Sequence, residues 1–154
     1  KKQAMIELHC DSPKEIFQFG GYLCIPTNGS LKKDSSLVMG KGFALQVAKL
    51  FPSIPQHLGN LISIYGNHVI HIGTVSNKHC CYNFISFPTK HLWYEKSSLS
   101  LIERSAKELV VVTHYLSSIY LPRPGCGNGG LDYTEVKPVL ESILFDNKFA
   151  VVDL

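Results

Sequence analysis

Hydrophobic and polar positions along this chain alternate in short segments that are typical of β-strands. Residues 5–10, MIELHC, alternate between apolar and polar side chains, whereas residues 22–27, YLCIPT, form a short apolar run. Alternation predicts a strand with one exposed face, and a short apolar run predicts a strand buried on both faces. The segments that predict strands are 5–10, 22–27, 68–75, 81–87, 118–122 and 149–154.

Between these segments, apolar residues recur at a helical spacing. Phe43, Val47 and Leu50 fall on one face of a helix, and that helix is expected to end before Pro52 because the residue before a proline disfavours helical geometry. The segments that predict helices are 12–20, 43–51, 55–61, 99–116 and 132–146, the third of them a short helical turn.

Two helix starts carry capping signals. Ser12 with Glu15, and Asp132 with Glu135, have the spacing of a capping box, in which each side chain satisfies a free backbone amide of the first turn. Pro138 is expected in or near the first turn of its helix, since a proline further inside would remove a hydrogen bond.

The order of these elements indicates the fold class. Strands that alternate with helices predict a three-layer α/β domain with a largely buried sheet. A chain of 154 residues suits a single domain over 1–154. Ligands of such sheets bind at the carboxyl ends of the strands. Two polar loops with glycines, 28–42 and 122–131, follow predicted strands, so we expect a binding site between them.

The second of these loops is rich in glycine. Gly125, Gly127, Gly129 and Gly130 stand directly before a predicted helix. Successive glycines can turn backbone N–H groups toward one anion, and the helix N-terminus adds its positive dipole end. This pattern favours phosphate binding; a tight turn without a ligand is the alternative. The Walker lysine spacing and the dinucleotide fingerprint are both absent.

The first loop has a related pattern. Residues 39–46, MGKGFALQ, also lead through glycines into a helix. Two such loops at one edge of a sheet can hold the two phosphates of a pyrophosphate from opposite sides. Together the two loops support phosphate binding more strongly than either loop does alone.

Composition and charge restrict the partners and the cellular compartment expected for the protein. The chain is 45% hydrophobic and 18% charged with a net charge of +3, which helps an anionic ligand approach without indicating a DNA-coating protein. No apolar run approaches the roughly 20 residues of a membrane helix, so no membrane partner is expected. The five cysteines form no CxxC pair, which predicts a reduced, cytoplasmic protein. His79, Cys80 and Cys81 lack zinc-ligand spacing, so no metal is expected.

Four segments resemble the macrodomain family of ADP-ribose-binding proteins. They are CIPTNGS (24–30), VMGKGFALQVAKLFP (38–52), LPRPGCGNGGLDYTEV (121–136) and FAVVDL (149–154). The resemblance covers nearly the whole chain and implies a three-layer α/β/α macrodomain with a central mixed sheet.

The resemblance also implies a ligand set. It places Asn28 near the distal ribose and Asp11 at the adenine amino group, although Cys10, Asp11 and Ser12 stand where the family has Gly-Asp-Ile. The implied ligand-binding residues are Asp11, Asn28, Met39, Gly40, Gly42, Phe43, Ala44, Pro124, Gly125, Cys126, Gly127, Asn128, Gly129, Gly130 and Leu131.

One loop is similar to a particular branch of the family. FISFPTKHLW (84–93) resembles a loop of the macrodomain antitoxins that remove ADP-ribose from DNA, and of the terminal ADP-ribose protein glycohydrolases. In that branch a lysine acts in catalysis, which here implies Lys90. A lysine amine near the anomeric carbon can attack that carbon or the ring-opened aldehyde. The alternative is an ordinary solvated loop lysine.

Several positions depart from this branch. In the antitoxins the lysine is followed by an arginine-like residue and then by His-Trp, whereas here His91 follows Lys90 directly and Trp93 keeps its place. Gly129 stands where the protein-directed relatives have an acidic residue. Asp132 either supplies that acid or caps its helix, and we favour the cap. Trp93 and Tyr94 either stack on a base of a nucleic acid or cover the loop.

The resemblance thus implies an enzyme, an ADP-ribosyl glycohydrolase that frees ADP-ribose from an acceptor, with nucleic acid favoured. Its expected partners are ADP-ribose, ADP-ribosylated DNA and a cognate ADP-ribosyltransferase, as in a toxin–antitoxin pair, and it is expected to be a monomer without a cofactor. The alternatives are an ADP-ribose 1''-phosphate phosphatase and a non-catalytic ADP-ribose reader.

Overall fold

All the segments that predict strands join one sheet. The computed structural model describes residues 4–154. The strands are β1 (Ile6–His9), β2 (Tyr22–Thr27), β3 (Ile70–Ser76), β4 (Cys81–Pro88), β5 (Ile119–Pro122) and β6 (Phe149–Asp153). The six strands lie in the order β1–β6–β5–β2–β4–β3, and every neighbouring pair is parallel except β3 and β4. The expected mixed sheet is confirmed.

Helices cover both faces of this sheet. Val47 and Leu58 are fully buried in one apolar cluster with Leu23 and Phe84 of the sheet. A second cluster fills the other face, so the three layers are present. The helices are α1 (Gly42–Leu50), α2 (Ile54–Tyr65), α3 (Leu99–Val112) and α4 (Tyr133–Glu141), with a 3₁₀ helix at Pro13–Gln18. None of the helices within residues 4–154 has the length and apolarity that crossing a membrane requires.

Three loops leave the sheet at one edge because β2, β4 and β5 run parallel. We call residues 28–41 the β2–α1 loop, residues 89–98 the lysine loop and residues 123–131 the glycine loop. Adjacent strands bring the three loops together, and the edge they form is the carboxyl edge at which α/β sheets bind ligands.

The β2–α1 loop is packed against α2. The amide of Leu37 donates to the carbonyl of Pro55 at 2.8 Å. Gly59 of α2 lets the loop come this close, since a Cβ at that position would collide with the Ser35 carbonyl. The helix α2 therefore holds the β2–α1 loop in place through residues 35–37.

The first predicted capping box is wrong. The residues after Ser12 form a 3₁₀ helix, and the Ser12 side chain makes no capping hydrogen bond. The Glu15 carboxylate instead accepts from the amide of Asp11 at 3.0 Å. The second capping box is confirmed. The Asp132 side chain accepts from the backbone of the first turn of α4, and the Glu135 side chain accepts from the backbone amide of Asp132.

Two helices differ from their predictions. The segment predicted as a short turn is the 12-residue helix α2, whose inner face buries Ile54, Leu58 and Ile62 at a regular helical spacing. Pro138 lies inside α4 and not in its first turn. A proline there removes the donor for the carbonyl four residues earlier, and α4 is correspondingly short at nine residues.

Candidate active site

A cleft of about 950 Å³ opens between the three loops at the carboxyl edge of the sheet. Its floor runs across the ends of β4, β2, β5 and β6, where Thr89, Thr27, Pro122 and Val152 line it. Four strand ends at a spacing of about 4.8 Å span roughly 15 Å, so the cleft suits an extended ligand better than a compact one.

The glycine loop presents free backbone donors to this cleft. Within residues 4–154, nothing accepts a hydrogen bond from the amides of Gly127, Asn128 or Gly129. The loop is closed by the amide of Leu131, which donates to the Gly125 carbonyl at 2.9 Å. Because unpaired amides need a partner, this concave row is suited to an anion.

The β2–α1 loop supplies a second set of donors. Lys41 is the N-cap of α1 but makes no side-chain cap, and the amides from Met39 to Ala44 have no acceptor in the described part of the chain. Asn28 stabilises this loop: its Nδ2 donates to the Val38 carbonyl and its Oδ1 accepts from the Ser30 amide, both at 2.9 Å. The open helix N-terminus therefore faces the cleft without a competing carboxylate.

The three loops meet around Asn128. A Cβ built on Gly42 would lie 3.1 Å from Asn128 Nδ2, so the glycine loop and the start of α1 are in close proximity. Lys90 Nζ donates to the Asn128 carbonyl at 3.5 Å and to the Trp93 carbonyl at 3.4 Å. The amine is thus held at the cleft beside both rows of amides.

Trp93 and Tyr94 form an exposed aromatic pair at this end of the cleft. Their ring centroids lie 5.7 Å apart with the rings perpendicular. Trp93 is 52% exposed and lines the cleft, whereas Tyr94 is 67% exposed and lies outside it. The Trp93 amide donates to Ser30 Oγ at 2.9 Å, which fixes the turn against the β2–α1 loop.

The far end of the cleft is formed by Arg123 and Tyr133. The Arg123 guanidinium lies 4.0 Å from the centroid of the Tyr133 ring and 3.7 Å from Asp153 Oδ1. Asp11 lies outside the cleft; its side chain is 90% exposed and its carboxylate is 3.3 Å from His9 Nε2.

Asp132, the N-cap of α4, and Cys126 of the glycine loop have shifted pKa values. Hydrogen bonds from the amide and then the hydroxyl of Thr134 lower the pKa of Asp132, so this carboxylate is ionised at neutral pH and serves as a helix cap. Burial raises the pKa of the Cys126 thiol to about 11, so a neutral thiol stands beside the free amides.

Most of the ligand residues implied by the sequence are brought together here. Within the glycine loop, Pro124 is buried, whereas Gly130 is exposed and lies beside Lys96. The residues of the predicted site that line the cleft are Asn28, Met39, Gly40, Gly42, Phe43, Ala44, Lys90, Trp93, Gly125, Cys126, Gly127, Asn128, Gly129 and Leu131. Those that do not are Asp11, Pro124, Gly130 and Tyr94.

The sequence did not indicate several polar residues of the cleft. Thr27 Oγ1, Gln46 Oε1 and Ser97 Oγ are buried there, and no hydrogen-bond partner for them occurs among residues 4–154. Buried polar atoms without partners point to a ligand or ordered water. A single Thr, Gln or Ser carries no pattern that would have identified these positions. Residues 4–154 contain no group of three or more His, Cys, Asp and Glu side chains arranged to hold a metal.

Comparison with known proteins decides the family. No model of a protein family matches the chain. It is 35% identical over 114 residues to the DNA ADP-ribosyl glycohydrolase of Thermus aquaticus, and 34% over 113 residues to that of Mycobacterium tuberculosis. The alignments cover 70% and 68% of this chain but only 31% of each relative, so the chain spans about a third of their length.

Solved structures match almost the whole chain. The macrodomain of Mycobacterium tuberculosis DarG gives a TM-score of 0.71 at 20% identity over 97% of this chain and 99% of that one. The chain belongs to the macrodomain family. The macrodomain of Thermus aquaticus DarG also gives 0.71, at 23% identity over 97% of both chains. Thermosipho africanus DarTG in complex with ADP-ribose gives 0.67 at 22% identity over 88% of this macrodomain and 38% of that chain.

Proposed function

We propose that this macrodomain binds ADP-ribose and hydrolyses the bond between its distal ribose and a nucleic-acid acceptor, DNA in the first place. The observation that carries the proposal is the position of Lys90 Nζ, within hydrogen-bonding distance of the glycine loop at the end of a cleft lined by free amides. The relatives named DNA ADP-ribosyl glycohydrolase and the neighbour in complex with ADP-ribose support it.

The two rows of amides account for binding of the diphosphate. The amides of Gly127 to Gly129 and of Met39 to Ala44 belong to two loops that line the cleft and approach each other at Gly42 and Asn128, and the α1 dipole adds positive potential. A diphosphate held there places one ribose toward Lys90 and the adenosine toward Arg123 and Tyr133. Fixing the ribose in this way removes much of the entropic barrier to reaction.

The reaction then uses the Lys90 amine and water. The Nζ lone pair attacks the anomeric carbon as the bond to the acceptor breaks, and the acceptor leaves with the electron pair of that bond and takes up the proton that the newly alkylated amine loses. Water then hydrolyses the bond between Nζ and the sugar, which restores the amine and frees ADP-ribose. No cofactor or metal enters this scheme.

The acceptor lies where Trp93 and Tyr94 are exposed. The Trp93 carbonyl is 3.4 Å from Lys90 Nζ, so an acceptor attached at the anomeric carbon is within reach of the Trp93 ring. Aromatic side chains bind unpaired bases by stacking. A cognate ADP-ribosyltransferase that makes the modified nucleic acid is the partner this function implies, in a cytoplasmic, monomeric protein.

The test compares Lys90→Ala with Lys96→Ala, a lysine of the same loop outside the cleft. ADP-ribosylated DNA and ADP-ribosylated protein are offered side by side, free ADP-ribose is followed, and ADP-ribose affinity is measured by calorimetry. We expect Lys90→Ala to lower release by on the order of a hundredfold or more, with binding kept and Lys96→Ala near wild type.

Other results would contradict the proposal in different ways. Binding without release by the wild-type protein would indicate a reader, and release of phosphate from ADP-ribose 1''-phosphate alone would indicate a phosphatase. Unchanged release in Lys90→Ala would overturn the role of the amine, and no heat with ADP-ribose would overturn the function altogether.

A further inference from the structure

Asn67, in the turn between α2 and β3, contacts the main chain of Lys90. Its Nδ2 donates to the Lys90 carbonyl at 3.0 Å, and the Lys90 amide donates to the Thr27 carbonyl at 3.4 Å. Both main-chain polar groups of Lys90 are therefore held at the point where the chain leaves β4.

Asn67 is itself fixed from α3. The Arg104 guanidinium donates to the main-chain carbonyl of Asn67 and lies 3.5 Å from the Glu108 carboxylate. Glu108 in turn accepts from the amide of Val69 at 2.9 Å and lies 2.8 Å from His68 Nδ1. The turn is thus anchored at Asn67 itself and at the two residues that follow it.

The orientation of the Asn67 amide leaves its oxygen unsatisfied. Oδ1 is buried and accepts no hydrogen bond from any residue between 4 and 154. Such atoms are uncommon in folded proteins, and each calls for an explanation. Reversing the amide would set Oδ1 against the Lys90 carbonyl, so the observed orientation is the one in which Asn67 holds the lysine loop.

Gly29 leaves the space that this contact needs. Its amide donates to the His91 carbonyl at 3.0 Å, and a Cβ there would lie 2.9 Å from both that oxygen and Asn67 Nδ2. A side chain at position 29 would displace Asn67 or the lysine loop, so the β2–α1 loop is shaped around the same contact.

We propose that Asn67 is a positioning residue that fixes the main chain at Lys90 so that Nζ reaches the distal ribose. This inference rests on the proposed function. The amine ends a flexible side chain, and its direction depends on where the main chain is held. A misplacement of about 1 Å at a reacting group lowers a rate by on the order of a hundredfold.

The test replaces Asn67 with leucine, which is similar in size and cannot donate, and with aspartate, which keeps the shape and also cannot donate. Asn147→Leu and Asn147→Asp are the matched controls, since Asn147 is exposed before β6 at the opposite edge of the sheet. The readouts are the single-turnover rate of ADP-ribose release from ADP-ribosylated DNA and the calorimetric Kd for ADP-ribose.

We expect both Asn67 variants to release ADP-ribose about tenfold or more slowly while the Kd stays within about twofold. In a Lys90→Ala background, Asn67→Leu should have no further effect, because the two changes act on one group. Arg104→Gln, which leaves Asn67 in place but removes its support, should give a smaller loss and covers the case in which Asn67→Leu fails to fold.

Three results would overturn the proposal: wild-type rates in Asn67→Leu, a parallel loss of ADP-ribose binding, or a full additional loss on top of Lys90→Ala. A wild-type protein that releases no ADP-ribose would overturn the proposed function and this inference together, so the wild-type measurement distinguishes the two.

Discussion

Gly127 differs from its neighbours in the glycine loop because the fold does not require a glycine there. Gly125 has a φ of +75°, and a Cβ on Gly129 would collide with Ser97 Oγ and the Gly125 carbonyl. Within residues 4–154, a Cβ on Gly127 would meet nothing within 4 Å. Gly127 lines the cleft and packing inside the protein does not require a glycine there, so we attribute this glycine to the close approach of the proposed ligand.

Gly127→Val should therefore reduce binding without destabilising the protein. We expect the Kd for ADP-ribose to rise by about tenfold or more, equivalent to about 1.4 kcal/mol, with the thermal midpoint close to wild type. Gly20→Val is the control, because position 20 is equally open and lies before β2 at the opposite edge of the sheet. Calorimetry and thermal unfolding measure the two quantities; a large fall in thermal midpoint would show that the fold itself needs this glycine.

At the scale of elements, the edge strand β1 is joined to α4 by one carboxylate. Glu7 of β1 lies 2.9 Å from Lys137 Nζ and accepts from the Tyr133 hydroxyl at 2.7 Å. The Lys137 contact and then the Tyr133 contact lower the pKa of Glu7. Tyr133 also lines the cleft, so this link supports the end of the cleft formed by Arg123 and Tyr133.

The link predicts a pH dependence of stability. A carboxyl whose pKa is lowered in the folded state stabilises the protein above its ordinary pKa of 4.5, and this contribution disappears as the pH falls through the folded pKa. We expect Glu7→Gln to lower the thermal midpoint modestly at pH 7, since Glu7 is partly exposed, and the difference from wild type to shrink below pH 4.5. Thermal unfolding from pH 3 to 7 tests this; a constant difference over that range would contradict it.

The elements were more predictable than their contacts. Alternation and apolar runs identified the strands because a sheet buried between helices imposes these patterns locally. The length of α2 was underestimated because Pro55 and Gly59 suggest breaks, yet Pro55 lies in the first turn and Gly59 admits the β2–α1 loop. Asn67 meets Lys90 across 23 positions of sequence, a pairing that only the folded sheet creates.

The candidate site was also predictable in part: its loops could be located from the sequence, whereas its individual buried polar residues could not. Its glycine-bearing loops follow from the need for close backbone approach to an anion, which restricts residue type. Asp11 was placed in the site by resemblance alone, and it lies outside the cleft beside His9. Buried hydroxyls such as Thr27, at the end of β2, and Ser97 carry no local signal, because both residue types are common in strands and loops alike.

The whole molecule carries a net charge of +3, and its proposed substrate is a modified polyanion. In the proposed function, the diphosphate contacts are main-chain amides in a cleft, which salt screens weakly, whereas a nucleic-acid strand outside the cleft would meet exposed lysines. Binding of the strand and binding of ADP-ribose should therefore respond differently to salt.

We expect the KM for an ADP-ribosylated oligonucleotide to rise steeply between about 50 and 200 mM salt, while the Kd for free ADP-ribose rises much less. Steady-state kinetics and calorimetry over one salt series give both values. Equal slopes would show that the strand beyond the modified base makes no charged contact with the protein.

The rows of unpaired amides have a consequence for how this protein can change. An N–H group is contributed identically by every residue type except proline, so the identity of Asn128 can drift while the donor proposed for the diphosphate persists. Selection at such positions acts instead on the backbone conformation and on side chains large enough to block the cleft. The amide rows can therefore be retained through evolution by keeping the course of the backbone, while the surrounding side chains change. Such changes could alter which acceptor, attached to the distal ribose, the protein prefers.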